Sequence, residues 1–506
     1  MDLPPIAGRE SELQAARRGH SPLWRDHSNL NPADIRSAFA CALHMHQPTI
    51  PAGRDGELIS HLQYMFDHPD EGDNHNAEPF AQCYRRMADL IPELIDAGCN
   101  PRMMLDYSGN LLWGVHQMGR EDISGALRFL ACDPVMQRHV EWLGSFWSHA
   151  VAPSTPIPDL ALQISAWQHQ FADLFGCEAL ARVRGFSPPE MHLPNHPDTL
   201  HAFVTALLDH GYRWLLVQEH SVETLQGEPL RDEQKYQPNR LVARSSCGDR
   251  VEITVLIKTQ GSDTKLVGQM QPCHQALEMQ RQDCGGRSLP PLVSQIADGE
   301  NGGVMMNEFP DAFRQANSRI RDGGNGCVPI NGSEYLELLE ASGFEASHWP
   351  RIQAVQQQQL WNAVVGPVSP GSVQRAIDQL QQRNDGFSMD GASWTNDLSW
   401  VKGYANVLEP MLQLSADFHG RWDAAVRAQP ASTTSTVTTS TVTTSTVTSS
   451  TAYQRCLLHL LLSETSCFRY WGQGRWTDYA QTLVQQGRAL LQQVAIPGSA
   501  EPTSFG

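Results

Sequence analysis

Short apolar runs alternate with amphipathic segments along about the first 300 residues of the chain. Each run is short enough to form one buried strand. The runs cover residues 38–43, 103–105, 140–143 and 214–217. The intervening segments carry apolar side chains at helical spacing over residues 84–95, 164–175 and 200–208. About five strand–helix units in succession predict a parallel sheet covered by helices, and their number favours a barrel over an open sheet.

From residue 333 the pattern changes, because helical periodicity continues without a strand-like run between the segments. These helical segments cover residues 333–343, 352–365, 371–382, 399–427 and 453–463. We therefore expect an N-terminal arm of residues 1–36, a barrel over residues 37–330, an α-helical C-terminal domain over residues 331–495 and a tail of residues 496–506.

A low-complexity insert interrupts the predicted helical domain at residues 432–451. It repeats Thr-Thr-Ser-Thr-Val three times. Serine and threonine at this density bury little apolar area and compete locally for backbone hydrogen bonds. The composition favours a flexible surface linker between two helices, and the β-branched content leaves a small Thr/Val strand as the alternative.

Composition narrows the class of protein. The chain has 55 Asp and Glu residues and 37 Lys and Arg residues. The resulting net charge of −18 would repel both nucleic acid and anionic lipid. The 11 cysteines form no Cys-x-x-Cys pair, which is typical of reduced thiols in a cytoplasmic protein. The first forty residues are polar and charged, so we expect no signal peptide, and no apolar run approaches the ~20 residues of a membrane span.

Polar residues follow several predicted strands, which is where parallel α/β folds place their sites. His46-Gln47-Pro48 follows the first strand, and Glu190 follows Pro188-Pro189 on a bend that the prolines stiffen. Asp298 and Glu300 lie in an Asp-Gly-Glu turn after a third apolar run. Two carboxylates facing each other across a site are what glycosidic bond cleavage needs, since one attacks the anomeric carbon and the other protonates the departing oxygen.

Two other interpretations remain open at this point. His44 and His46 would share one face of a regular strand and with an acidic partner could hold a metal, as in a metal-dependent carbohydrate deacetylase or a mannosidase-like hydrolase. The lack of a third ligand nearby in sequence favours two hydrogen-bonded histidines instead. A non-catalytic glucan-binding protein is the second alternative, and the presence of both Glu190 and Asp298 argues against it.

With these motifs the chain resembles glycoside hydrolase family 57. In that family a His-Gln-Pro closes the first strand, a Gly-x-x-x-Pro-Glu segment carries the nucleophile and an Asp-Gly-Glu segment carries the acid/base. The three motifs occur here in the same order. The matching residues are His46, Gln47, Pro48, Gly185, Pro189, Glu190, Asp298, Gly299 and Glu300.

The resemblance implies an incomplete (β/α)7 barrel closed by a helical C-terminal domain, and a retaining enzyme that acts on α-glucans such as starch, glycogen or maltodextrins. It implies Glu190 as the nucleophile and Asp298 as the acid/base, with no metal or cofactor. His46 and Gln47 would hydrogen-bond the reacting sugar. Three aromatic residues would form flat apolar surfaces on which sugar rings stack, and core packing is their alternative role. They are Trp394, Tyr470 and Trp471.

Two departures from the family pattern affect the predicted sugar subsites. Members usually carry Trp-Leu where this chain has Ser187-Pro188, and many carry Asp where Cys467 stands. Neither change removes a catalytic carboxylate. We expect both to change which sugars fit, so the sequence leaves the exact glucan open, together with the choice between hydrolysis and transfer.

Overall fold

Seven parallel strands organise the protein, and we label them β1 to β7 in chain order. The computed structural model describes residues 3–19, 22–259, 264–284, 286–300, 303–393, 405–428, 446–469 and 472–494. The seven strands are β1 (Ser37–Met45), β2 (Met103–Tyr107), β3 (Val140–Leu143), β4 (Gly185–Phe186), β5 (Trp214–Gln218), β6 (Arg250–Lys258) and β7 (Leu292–Asp298).

These strands pair in a ring. β1 lies between β2 and β7, β2 also pairs with β3, and β5 lies between β4 and β6. The ring closes at two narrow points, the Lys258–Ser294 pair between β6 and β7 and a Gly144–Phe186 bridge between β3 and β4. The predicted (β/α)7 barrel is confirmed, and these two closures are its weakest seams.

The barrel interior follows from the alternation of side chains along each strand. One buried cluster draws residues from six of the strands, including Ala42, Met104, Leu216 and Ile296, and only the inside of the ring touches all of them. The opposite faces of the strands join a larger cluster that packs against the helices. Each strand is therefore buried on both faces, as expected for a parallel barrel.

Short strands and helices surround the barrel. The further strands are Thr49–Ile50, Ile59–Ser60, Val222–Thr224, Asn239–Arg244, Gln282–Cys284, Arg287–Leu289, Cys327–Pro329 and Arg351–Ala354. The first set of α-helices is Glu10–Arg17, His61–Asp67, Ala77–Arg85, Met87–Asp96, Gly109–Gln117, Glu121–Cys132, Met136–His139, Ile157–Phe175, Cys177–Arg182 and Pro197–Asp209. The remaining α-helices are Asp232–Lys235, Thr264–Gly268, Gln271–Glu278, Phe309–Gly323, Gly332–Ala341, Gln357–Ala363, Pro370–Arg383, Ala405–Arg427, Thr451–Ser463 and Arg475–Gln493.

The C-terminal region is helical, as predicted, with one exception. Arg351–Ala354 is a strand that pairs with Asn239–Arg244 and Val222–Thr224, although the sequence pattern indicated a helix from residue 352. Four residues are too few for periodicity to separate a strand from a helix, and the edge of the existing sheet decides the conformation. The last three helices, Ala405–Arg427, Thr451–Ser463 and Arg475–Gln493, contact one another and form what we call the C-terminal bundle.

The N-terminal arm and the insert are the regions whose structure the residue pattern predicts least. Glu10–Arg17 in the predicted arm is a helix, and the buried Arg17 guanidinium lies 4.5 Å from the centre of the Tyr212 ring. Residues 429–445, which contain most of the predicted insert, lie outside the described residues. From Thr446 the chain forms a turn, and the Ser450 side chain caps the helix Thr451–Ser463. None of the described helices has the length and apolar character needed to cross a membrane.

The Gly144–Phe186 seam gives a test of the barrel closure. A Cβ on Gly144 would lie 2.2 Å from the Tyr212 hydroxyl oxygen, far inside van der Waals contact. Because that ring is buried and rigid, we expect Gly144→Ala to separate β3 from β4 and to lower the free energy of unfolding by about 1–3 kcal/mol. Urea unfolding followed by circular dichroism measures the change.

Gly125 is the matched control. It lies within the helix Glu121–Cys132 and a Cβ there would have no heavy atom within 4 Å. Gly125→Ala should leave stability unchanged or raise it by up to about 1 kcal/mol, because alanine favours the helix. Equal effects of the two substitutions would contradict the role given to the seam.

Candidate active site

The last inward-facing positions of four barrel strands are polar. His44 continues the inward series of β1 after Ala42, Asp106 follows Met104 on β2, Lys258 follows Leu256 on β6 and Asp298 follows Ile296 on β7. All four line a cavity of about 570 Å³ at the carboxyl ends of the strands. The alternation that fills the barrel with apolar side chains thus supplies the floor of the cavity.

Glu190 enters the same cavity from the loop after β4. Its backbone lies in the left-handed region, with φ 58°, and Met191 follows with φ 50°. Two consecutive non-glycine residues in this region cost about 1–3 kcal/mol each and persist only when the surroundings enforce them. Here the Met191 and His192 N–H groups donate to the carbonyls of Pro188 and Pro189, at 2.9 and 3.1 Å.

A segment far along the chain also holds the Glu190 loop. Leu193 and Ala392 exchange two backbone hydrogen bonds of 3.0 and 3.2 Å. The neighbouring Gly391 has φ 84° and its N–H donates to the Asn195 side chain at 2.7 Å. The loop is therefore fixed from both sides, which keeps the direction of the carboxylate constant.

The Asp-Gly-Glu turn places two more carboxyl groups at the end of β7. The Gly299 N–H donates to the His44 carbonyl at 2.7 Å, and the Glu300 carboxylate accepts from the His46 N–H at 2.8 Å. Burial raises the pKa of Glu300 to about 8. Burial also raises the pKa of Asp298, and the charge of His44 opposes that rise. The Asp298 side chain is open to the cavity, but the cavity walls limit its contact with bulk water.

Two basic groups lie among these carboxyl groups. His44 Nδ1 is 2.9 Å from Asp106 Oδ2. Burial disfavours charge on His44, but Asp106 outweighs it and raises the pKa of His44 to about 9. Burial lowers the pKa of Lys258 to about 8, against the opposing charges of Glu219 and Asp298. The floor of the cavity can therefore carry positive charge at neutral pH.

Three histidine rings form a stack along one wall. His149 lies between the other two, with ring centres 4.6 Å from His44 and 4.0 Å from His46. Burial and the charge of His44 lower the pKa of His46, and burial with both neighbouring histidines lowers that of His149. The stack therefore consists of one cationic and two neutral imidazoles at neutral pH.

The predicted sugar-binding residues near β1 have protein partners. His46 Nδ1 is 2.8 Å from the Ser108 hydroxyl and its Nε2 is 3.4 Å from the Cys467 sulfur. Gln47 Oε1 accepts from His61 at 2.9 Å. The buried Nε2 atoms of His44 and His149, by contrast, have no hydrogen-bond partner among the described residues.

Cys467, one of the two departures from the family pattern, also lines the cavity. Burial, followed by the charge of Glu190, raises the pKa of its thiol to about 12, so the sulfur stays protonated. The other departure, Ser187-Pro188, also lines the cavity and is separated from Glu190 by Pro189. Trp394, Tyr470 and Trp471 lie outside the described residues, and their stacking on sugars stays a prediction.

Sequence reasoning missed three of these residues. Asp106 and Lys258 each end an apolar run, so the rule that drew attention to His46 would have found them. His149 gave no such signal, because it lies six residues beyond the end of β3 and reaches the stack with φ 61°. Among the described residues, no group of three His, Cys, Asp or Glu side chains has the arrangement of a metal site.

The raised pKa of Glu300 predicts a pH-dependent cost in stability. The unfolded carboxyl loses its proton near pH 4.3, whereas the folded one keeps it until about pH 8, so unfolding becomes easier as pH rises between these values. Glu300→Gln removes this titration, and its amide oxygen can still accept from the His46 N–H. We expect the variant to gain roughly 1–3 kcal/mol over wild type between pH 5 and pH 8.

Urea unfolding at pH 5, 6, 7 and 8 measures this gain. Glu178→Gln, an exposed carboxylate on the helix Cys177–Arg182, is the matched control and should show no pH-dependent difference. A constant offset between Glu300→Gln and wild type across the four pH values would show that Glu300 does not keep its proton in the folded protein.

Comparison with known proteins finds similar solved structures but no matching sequence. No protein-family model and no curated protein sequence matches the chain. Three solved structures match with TM-scores of 0.53, 0.52 and 0.56 and sequence identities of 15%, 13% and 12%. They are, in that order, a 4-alpha-glucanotransferase from Thermococcus litoralis, a GH57 branching enzyme from Thermococcus kodakaraensis in complex with glucose and additives, and a novel exo-type maltose-forming amylase from a Pyrococcus species.

Each of these matches covers 90% of this chain. The chain spans 60% of the glucanotransferase, 89% of the branching enzyme and 80% of the amylase. The likeness over nine-tenths of the chain shows that it has the fold of the family 57 glycoside hydrolases, as the resemblance in sequence implied.

Proposed function

We propose that this protein is a retaining glycoside hydrolase or transglycosylase that acts on α-glucans. The observation that carries the proposal is that Glu190 and Asp298, from separate strand ends of the barrel, line one cavity. A retaining mechanism uses one carboxylate as nucleophile and one carboxyl as acid, and then as base.

Glu190 is the nucleophile in this proposal. The strained, doubly held loop supports that role, because an attacking carboxylate must keep a fixed direction toward the anomeric carbon. Attack forms an ester between the Glu190 oxygen and the anomeric carbon as the bond to the leaving oxygen breaks. Water, or the hydroxyl of a second sugar, then displaces Glu190 and restores the original anomeric configuration.

Asp298 is the acid and then the base. Its raised pKa favours the protonated form needed to protonate the leaving oxygen. The positive charges of His44 and Lys258 act on the same carboxyl group and stabilise the carboxylate that remains after the proton has moved. Asp298 then takes a proton from the incoming water or sugar hydroxyl, which completes the cycle.

The substrate class rests on the shared fold and on the cavity. The similar solved structures are described as a 4-alpha-glucanotransferase, a branching enzyme and a maltose-forming amylase. The cavity volume of about 570 Å³ lies within the range of roughly 300–1,000 Å³ typical of small-molecule sites. We propose starch, glycogen or maltodextrins as substrates, with Trp394, Tyr470 and Trp471 stacking on the sugar rings.

Substitution of the two carboxylates should give losses that differ in kind. Glu190→Gln keeps size but cannot attack, so kcat should fall roughly a thousandfold or more and no glycosyl-enzyme should form on any substrate. Asp298→Asn lacks the proton donor, but an activated aryl α-glucoside needs little protonation, so the intermediate should accumulate and added azide should restore turnover. Mass spectrometry of the intact protein detects the intermediate.

Glu178→Gln is the control here as well and should match wild type. Incubation of wild type with maltoheptaose, followed by sizing of the products, separates hydrolysis from transfer, because only transfer yields chains longer than seven glucose units. A Glu190→Gln protein that retains activity while EDTA abolishes that of wild type would overturn the assignment in favour of metal-dependent hydrolysis.

A further inference from the structure

We propose that Asp106 is a positioning residue that acts through His44, holding its ring protonated beside Asp298 at the floor of the cavity. The inference rests on the proposed function for its catalytic consequence. The pairing of Asp106 with His44 itself can be tested without any substrate.

Strand register fixes the three residues in a row. His44 pairs with Asp106 on β2 and with Asp298 on β7, so their backbones lie side by side at the same level of three adjacent strands. All three belong to the inward-facing series of their strands. The order Asp106, His44, Asp298 therefore follows from the sheet itself and does not depend on a loop conformation.

The contacts of His44 give the ring one orientation. Nδ1 lies 2.9 Å from Asp106 Oδ2, and the Asp106 side chain is only 1% exposed. The ring stacks on His149, which limits its rotation. His44 lines the cavity, and its buried Nε2 atom has no hydrogen-bond partner among the described residues. With Nδ1–H donating to Asp106, the unpartnered Nε2 carries the second proton of the charged ring.

Titratable groups face His44 from every element packed against it. Asp106 contributes from β2, Asp298 and Glu300 from the end of β7, His46 from β1 and His149 from the wall after β3. Among the described residues, Asp106 is the only carboxylate that forms a hydrogen bond with the His44 ring. Burial disfavours the charge on all three rings, and the histidine neighbours lower the pKa of His46 and His149 further. At His44 the Asp106 carboxylate makes the largest opposing contribution, ahead of Asp298 and Glu300.

The charge has a use in the proposed reaction. When Asp298 transfers its proton to the leaving oxygen, it becomes an anion in a cavity of low polarity, and the neighbouring imidazolium stabilises that anion. His44 keeps its own proton throughout, so no proton is gained or lost by the pair. Asp106, whose side chain is almost fully buried, acts in this proposal by keeping His44 charged at the pH at which Asp298 works.

Asp106→Asn tests the inference because the amide oxygen can still accept from Nδ1–H while the negative charge is lost. We expect the pKa of His44 to fall from about 9 to below its ordinary 6.5, and the alkaline limb of the kcat profile to move to lower pH by more than two units. At pH 7.5 kcat should fall about 10- to 100-fold with KM within about threefold, while at pH 5 both should approach wild type. A purely structural role would lower activity equally at both pH values.

Histidine-labelled protein gives a readout that needs no activity. The chain has 20 histidines, and in NMR spectra of the labelled protein His44→Gln identifies the His44 signal by its loss. The signal should titrate near pH 9 in wild type and below 6.5 in Asp106→Asn, while Asp96→Asn, an exposed control, should match wild type. If Asp106→Asn does not fold, the titration of His44 in the wild-type protein tests the inference instead. A His44 signal that titrates at or below pH 6.5 overturns the inference.

The outcomes separate the two proposals. Unchanged His44 titration and an unchanged pH profile in Asp106→Asn overturn the role of Asp106, even if the enzyme cleaves α-glucans. A shifted titration in a protein that is inactive on maltodextrins and on the aryl glucoside supports the Asp106–His44 pairing and refutes the proposed function.

Discussion

The alternation of side chains along parallel strands is the constraint on which the site depends. Along each barrel strand every second residue faces the interior, and apolar side chains predominate there before the last inward position. At that position His44, Asp106, Lys258 and Asp298 replace the apolar residues. A one-residue shift in the register of any of these strands would send its polar end to the helix-covered outside of the barrel.

Burial and pairing together set the charges in the cavity. At Glu300 burial outweighs the charge of His44 and holds the carboxyl proton to unusually high pH, whereas His44 is kept charged chiefly by the buried Asp106 carboxylate. The same low-polarity surroundings act on Lys258 in the opposite sense and weaken its hold on a proton. The cavity therefore contains acids and bases whose pKa values have moved toward each other, which is the condition for proton transfer at neutral pH.

The sequence predicted what depends on local pattern. Strand positions such as residues 140–143 and the barrel class followed from apolar runs, and the motif residues Glu190 and Asp298 followed from the family resemblance. The strand Arg351–Ala354 could not be predicted, because its conformation is set by pairing with a sheet edge more than a hundred residues away in sequence. His149 reaches the site through an unusual backbone conformation, and apolar periodicity carries no information about that.

The tether between Leu193 and Ala392 has a consequence for how the protein is made. The strained backbone at Glu190 depends on a partner segment that leaves the ribosome about 200 residues later, and His46 and His149 contact residues 466 and 467, later still. All seven barrel strands are complete by Asp298, so a nascent chain can close its barrel well before the tether and these contacts exist. Synthesis from one end thus delays the completion of the candidate site until nearly the whole chain has emerged.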